Sequence, residues 1–233
     1  MIGFWPCERD GDDITVFRDE SRSETLTSFH GLRQQIDKGV KKGPNYCISD
    51  YVAPEGDYIG GFAVTAGLGP DGDSAGGEDG RAKAFKDAGD DYSAILFQAL
   101  TDRLAEAFAE HMHKRVRMEF WGYAPDETAV GDELIAEKYA GIRPAPGYPA
   151  QPDHTEKATL FKLLDATKEA GVELTQSFAM RPASSVSGLY FSHPDSVYFG
   201  VGKIEKDQVE DYAKRKDMDL PDVERWLAPI LNY

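Results

Sequence analysis

The order of local patterns predicts an α+β fold: strands first, then one long helix, a proline-rich loop, a short helix, further strands and two closing helices. Strict strand–helix alternation, which a doubly wound parallel sheet needs, is missing. No Gly-x-Gly-x-x-Gly run follows a strand, so a Rossmann dinucleotide site is not expected. The 233 residues suffice for one large domain or two small ones, and there is no internal repeat.

Residues 2–5 and 14–18 flank the polar run Glu8–Asp13 and read as a hairpin. Ser23 to Phe29 reads as another strand, His30 to Lys38 as a short polar helix, and Lys41 to Asn45 as a turn. Tyr46 to Val52 is expected to be extended. Tyr58 to Thr65 is the best strand of the first half, and its paired glycines suggest a bulge or close backbone approach. Residues 67–80, rich in glycine and aspartate, read as a surface loop; they match neither a phosphate loop nor a calcium loop. Residues 92–117 predict the strongest helix, with Leu96, Leu100, Leu104, Phe108, Met112 and Val116 as one buried stripe. Glu110-His111-Met112-His113 has the spacing of half a di-metal carboxylate site; no second half exists, so surface pairs are the expectation. Glu133 to Tyr139 predicts a short helix. Asp153-His154-Thr155-Glu156 has the spacing of a helix start, with Leu160, Phe161 and Leu164 as its apolar face and Gly171 as its stop. Glu173 to Met180 predicts a strand. Residues 188–191 and 197–202 predict a hairpin about Ser192–Ser196, and Lys206–Lys216 and Asp222–Leu231 predict the last helices.

Everything turns on residues 141–154, which hold four prolines. Each proline fixes φ and lacks a backbone donor, so neither a helix nor a central strand can pass through. Such a loop is organised before any ligand arrives. Arg143 offers a planar fork for a carboxylate or phosphate, Gly147 permits close approach to the backbone, and Tyr148 adds a flat face with a polar tip. The plain alternative is a rigid turn with Arg143 in a structural ion pair. His154 beside Asp153 invites an acid–base reading, although a histidine in a first helical turn is more often structural.

The net charge of -15 argues against non-specific nucleic-acid binding and against docking on anionic membranes. Two cysteines, Cys7 and Cys47, make neither a disulfide framework nor a metal spacing. They suggest a reducing compartment, and a cytoplasmic location is expected. The start lacks a signal-peptide pattern, and no apolar run approaches membrane-spanning length.

RPAPGYPA at 143–150, followed by HTEKAT, resembles the activation domain of cobalamin-dependent methionine synthase. So do DRLAEAFAEHMHKRVR at 102–117, WGYAP at 121–125, QSFAM at 176–180, SVSGLYFSHPDS at 185–196 and DVERWLAP at 222–229. The resemblance runs from about Asp12 to Tyr233 and implies a twisted antiparallel sheet with flanking helices. It implies an S-adenosylmethionine (AdoMet) site in which Arg143, Gly147 and Tyr148 form the Arg-x-x-x-Gly-Tyr element. Arg143 would hold the methionyl carboxylate and Ala145 would present backbone groups to the adenine. Tyr198 and Phe199 match a tyrosine pair at the ligand, where only stacking carries over to the phenylalanine. Glu106 and Glu137 match acidic residues near the sulfonium.

The implied function is reactivation. A flavodoxin-type reductase gives one electron to inactive cob(II)alamin, and AdoMet gives a methyl group, restoring methylcobalamin. The domain would contribute positioning, with no catalytic acid or base. The family domain normally begins upstream, with an Asp-Trp-Thr-Pro-Phe-Phe element, and the cobalamin-binding Asp-x-His-x-x-Gly motif is absent here. Residues 1–233 are therefore expected to be a single activation domain lacking that upstream segment, meeting cobalamin on a partner domain or subunit. The rivals are a scaffold protein of the same fold that has lost AdoMet, and an independent AdoMet-dependent enzyme. A basic set at 111–117, with Lys203, Lys206, Lys214, Arg215 and Lys216, is the expected docking surface for an acidic reductant.

Overall fold

The computed structural model describes residues 1–39, 43–69 and 71–233. The turn expected at Lys41–Asn45 lies partly outside the described residues. Strand β1 (Ile2–Asp10) and β2 (Asp13–Phe17) form the expected hairpin, longer in its first arm than the sequence suggested, with Asp10 opposite Asp13. Strand β3 (Thr25–His30) pairs antiparallel to β2, which sets Ile14 opposite Phe29 and buries both. Strand β4 (Asp57–Thr65) and β7 (Ser185–Tyr190) complete a curled antiparallel sheet of order β3-β2-β1-β4-β7. The fold class is the predicted α+β. At Gly60 in β4 the close approach is by side chains instead of backbone: a Cβ there would lie 3.0 Å from Tyr190 Cβ and 3.1 Å from the Phe4 ring.

The chain divides into two compact units, Met1–Gly3, Gly61–Ala140 and Phe161–Gly188 forming one, and Phe4–Gly60, Gly141–Leu160 and Leu189–Tyr233 the other. The first contains α1 (Glu78–Asp87), α2 (Asp91–Arg115), the short α3 (Asp132–Ile135) and α5 (Ala166–Ala170). Helix α2 begins where Asp90 accepts the Ser93 N–H at 3.0 Å and ends in a π-turn at Val116–Phe120. The second unit is built on α6 (Lys206–Lys216) and α7 (Leu220–Leu227), whose Val209, Tyr212, Val223 and Leu227 close on Leu32, Val201 and Ile204. Helix α4 (Glu156–Leu164) begins in the second unit, and Leu160, Phe161 and Leu164 are buried as expected. Among the described residues no helix is long and apolar enough to cross a membrane.

Several expectations are corrected. Residues 31–38 form no helix: the Gln34 N–H donates to the Tyr46 carbonyl, and Arg33 is held by Asp12 and Asp50, which fixes an extended path. Tyr46–Val52 is not extended throughout, because a 3-10 turn occupies Ile48–Tyr51. Helix α1 starts inside the stretch read as loop, and its Glu78 is buried where it accepts the Ser184 N–H at 3.0 Å. The strand expected at Glu173–Met180 is two short strands, β5 (Glu173–Leu174) and β6 (Met180–Arg181), paired across a turn. The second arm of the hairpin at 197–202 is not a strand: its Val201 N–H goes to the Pro149 carbonyl instead of a neighbouring strand. The stripe of α2 is reversed. That holds for its first four members: Leu96, Leu100, Leu104 and Phe108 are exposed, while Ala94, Thr101, Ala105, Ala109 and His113 are buried; Met112 is half-buried, and Val116 is buried as expected. Small side chains let a helix approach its neighbours closely, and here that advantage outweighs burying the larger ones.

Candidate functional site

The proline loop is threaded at fixed points within the second unit. Ile142 and Phe191 exchange backbone hydrogen bonds of 3.1 and 3.0 Å, the Leu189 N–H donates to the Pro144 carbonyl, and the Val201 N–H donates to the Pro149 carbonyl. Between these ties the chain is extended and its side chains alternate. Ile142, Pro144 and Pro146 are buried; Arg143, Ala145 and Gly147 lie on the accessible side. An extended backbone points successive side chains to opposite faces. Three residues singled out from the sequence therefore share one accessible face.

The loop then turns on itself. The Gly147 N–H donates to the Gln151 carbonyl at 2.7 Å, Tyr148 to Ala145 and Gln151 to Tyr148. Gly147 has φ +91, and a Cβ there would overlap the His154 imidazole. Only glycine meets both demands. Tyr148 projects from this turn, exposed. Tyr198 is also exposed, and its hydroxyl accepts the Arg143 backbone N–H at 2.9 Å, so the phenol braces the loop. Phe199 is half-buried, 5.7 Å from the Tyr46 ring and 6.2 Å from Tyr51. Glu106 on α2 and Glu137, after α3 with φ +54, are exposed and belong to the first unit.

Beneath the loop lies a charged cluster that the sequence reading missed. Asp153 Oδ2 receives the Tyr212 hydroxyl at 2.8 Å, the Thr155 hydroxyl at 2.7 Å and the Lys216 ammonium at 2.9 Å. Lys216 also pairs with Glu156, whose other oxygen accepts the His30 N–H at 3.0 Å. All four of Asp153, Glu156, Tyr212 and Lys216 are buried or nearly so. Burial presses the Asp153 carboxyl upward, yet the Lys216 charge and the donated hydrogen bonds win and hold it below the usual carboxylate range. For Glu156 burial wins over Lys216, and its affinity for a proton rises. Burial and the two carboxylates push the Tyr212 phenol well above its ordinary value. The expected helix start is formed: Asp153 Oδ1 accepts the Thr155 N–H at 2.8 Å and α4 begins at Glu156, whose side chain is spent on Lys216 and His30. The one available signal was the four-residue spacing of Tyr212 and Lys216, which puts them on one face of α6.

His154 does not couple to Asp153 as an acid–base pair. Its ring sits against Gly147, and burial, followed by the charge of Lys157, lowers its proton affinity. The amide nitrogen and oxygen of Gln151 are buried with no hydrogen-bond partner among the described residues. The basic surface expected for a reductant is also corrected. Arg117 is buried on Glu127, 3.8 Å over the Tyr139 ring; Arg115 pairs with Glu119, and Lys114 donates to the Ala129 carbonyl. Arg215 is held by Asp13 and Asp211, and Lys216 lies in the cluster. Arg117 and Lys216 are thereby withdrawn from the expected surface.

Fold and site together define an α+β domain carrying one rigid, backbone-pinned loop with an accessible arginine, glycine and tyrosine. Residues 1–217 match the family described as vitamin B12 dependent methionine synthase, activation domain. A crystal structure of the MetH reactivation domain bound to AdoHcy superposes with a TM-score of 0.92 at 55% identity, covering 100% of this chain and 70% of that one. The chain belongs to the methionine synthase activation-domain family.

Proposed function

We propose that this chain binds AdoMet on the accessible face of residues 143–148 and presents its methyl group for reductive methylation of cobalamin carried by a partner domain or subunit. The observation that carries the reading is the alternation along the proline loop, which places the Arg143 side chain, the Ala145 backbone and the close-approach position Gly147 side by side. The 55% identical neighbour bound to AdoHcy supports the ligand class.

When bound, AdoMet supplies a methyl group on a sulfonium, and one electron from a flavodoxin-type reductase accompanies its transfer to cobalt. The chain's own part is to bind and to aim. Arg143 pairs with the methionyl carboxylate through charge-assisted hydrogen bonds. Ala145 offers backbone groups to the adenine. Tyr148 and Tyr198 bound the ligand with their rings, and Phe199 backs Tyr198 from the core side. The proline-fixed backbone needs little reordering on binding, so less affinity is lost to entropy. Residues 1–233 act as one activation domain in this reading, in the cytoplasm.

Calorimetric titration of AdoMet and AdoHcy into the wild type and Arg143→Ala tests it. Loss of a charge-assisted pair of about 1.5–3 kcal/mol corresponds to roughly 10- to 150-fold weaker binding. Equal binding by both proteins would overturn the arginine's role. A folded wild type that binds neither ligand at millimolar concentration would favour the scaffold reading instead.

A further inference from the structure

The 3-10 turn at Ile48–Tyr51 ends on Tyr51, a residue 5% exposed whose phenol reaches Val197, 146 positions further along the chain. The hydroxyl donates to the Val197 carbonyl at 3.1 Å and accepts the Val197 N–H at 3.3 Å. In an antiparallel ladder two facing residues make the same two-way exchange. Residues 197–202 form no strand, and here one phenol stands in for the missing neighbour. The Tyr51 ring meanwhile packs on Phe191, His193 and Phe199, with centroids 6.4, 5.9 and 6.2 Å away. Tyr51 therefore grips the turn at Pro194-Asp195 from both ends. On one side is Phe191, whose backbone is tied to Ile142 of the proline loop. On the other is Val197, next to Tyr198, whose hydroxyl accepts the Arg143 N–H. All of these residues belong to the second unit.

We propose that Tyr51 is a positioning residue for AdoMet, acting through Tyr198 on Arg143; the proposal rests on the AdoMet reading above. Holding both backbone groups of Val197 fixes the stem from which Tyr198 projects, and Tyr198 in turn holds the Arg143 backbone at 2.9 Å. Packing alone does not account for Tyr51. Phenylalanine would fill the place of the ring, and burying a hydroxyl is unfavourable unless it is hydrogen-bonded. What the oxygen adds is the hold on Val197. Val197 and Tyr198 are themselves 49% and 39% exposed, so water satisfies the Val197 backbone once the phenol lets go. The hold thus contributes little to the stability of the whole chain and much to the direction of the next side chain. With its hydroxyl committed to Val197 as both donor and acceptor, Tyr51 does not itself bind the ligand.

Tyr51→Phe keeps the ring and removes the hold. Amide hydrogen exchange, read by NMR on the ligand-free protein, follows the first link. The Arg143 N–H should exchange roughly 3- to 10-fold faster in the variant, while the Leu189 N–H, tied to Pro144, keeps its wild-type rate. Calorimetry with AdoHcy follows the second link, and binding should be roughly 3- to 10-fold weaker. A double-mutant cycle with Tyr198→Phe separates aiming from general support. Once the Tyr198 hydroxyl is gone, Tyr51→Phe should weaken AdoHcy binding no further, whereas a residue that merely supports the fold weakens it equally in both backgrounds. Unchanged Arg143 exchange, equal AdoHcy affinity in wild type and Tyr51→Phe, or additive losses in the cycle each overturn the proposal. A Tyr51→Phe protein that does not fold overturns it too, because the hydroxyl then holds the whole fold. A folded wild type that binds no AdoHcy is a different result: it overturns the AdoMet reading itself, and the role of Tyr51 falls with it.

Discussion

Single positions in the proline loop carry opposite kinds of constraint. Gly147 is required by both its φ and the imidazole against it, and Tyr198 spends its hydroxyl on the Arg143 backbone. Gln151 is the reverse case, a buried amide whose two polar atoms find no partner among the described residues. An unsatisfied buried polar group costs about 1–3 kcal/mol. Gln151→Leu is therefore expected to stabilise the protein by about 1 kcal/mol, raising the melting temperature by roughly 2–4 °C for a chain of this size, with AdoHcy affinity unchanged. A loss of affinity at constant stability would show instead that this amide serves the ligand. His154 makes a prediction in pH. Its folded-state proton affinity is lowered, so its contribution to stability is present above the ordinary histidine value of about 6.5 and is lost as pH falls through the lowered folded value. Denaturant titrations from pH 7.5 to 5 should show stability declining with acid, and a shallower decline in His154→Gln. Equal slopes would remove His154 from the account.

At the scale of elements, α6 matters more than its distance along the chain from the loop suggests. Tyr212 and Lys216, one turn apart on it, fasten Asp153 at the end of the loop and Glu156 at the start of α4. Removing one partner from a buried ionic group leaves uncompensated charge, which costs about 3–5 kcal/mol. Lys216→Met is expected to lower the urea midpoint by a corresponding amount, because Asp153 and Glu156 then face each other in the interior. Replacing all three charged groups together, as Lys216→Met with Asp153→Asn and Glu156→Gln, should recover much of the loss. A single variant as stable as the wild type would mean that the cluster is solvated and holds nothing. Helix α2 teaches a related lesson. Periodicity located the helix, but the face that packs is the one with small side chains, and no count of apolar residues could reveal that.

For the whole molecule, the elements that were legible and those that were not differ in a physical way. The hairpin of β1 and β2, strand β4, and helices α2, α4 and α6 each follow from short-range pattern: alternation, four-residue repeats, caps and glycines. Residues 31–38 and 197–202 defeated that reasoning because partners remote in sequence decide their paths. Gln34 bonds to Tyr46 and Gly200, and Val201 bonds to Pro149. The proline loop was legible as rigid, since proline restricts φ wherever it stands. That its odd-numbered residues face out could not be read, because this depends on which side Phe191 and Leu189 close. The basic cluster misled for the same reason: charge is written in the sequence, while burial of Arg117 and Lys216 is not.

By itself the chain's order of residues determined the α+β class, the stiffness of residues 141–154 and, through long shared motifs, the family. Those properties rest on local backbone restriction and on residue identity. Only the tertiary structure decided which face of the loop is open, which cations are buried and which side of α2 is left uncovered. Each of those depends on burial, and burial is a property of neighbours that the chain brings together only when it folds.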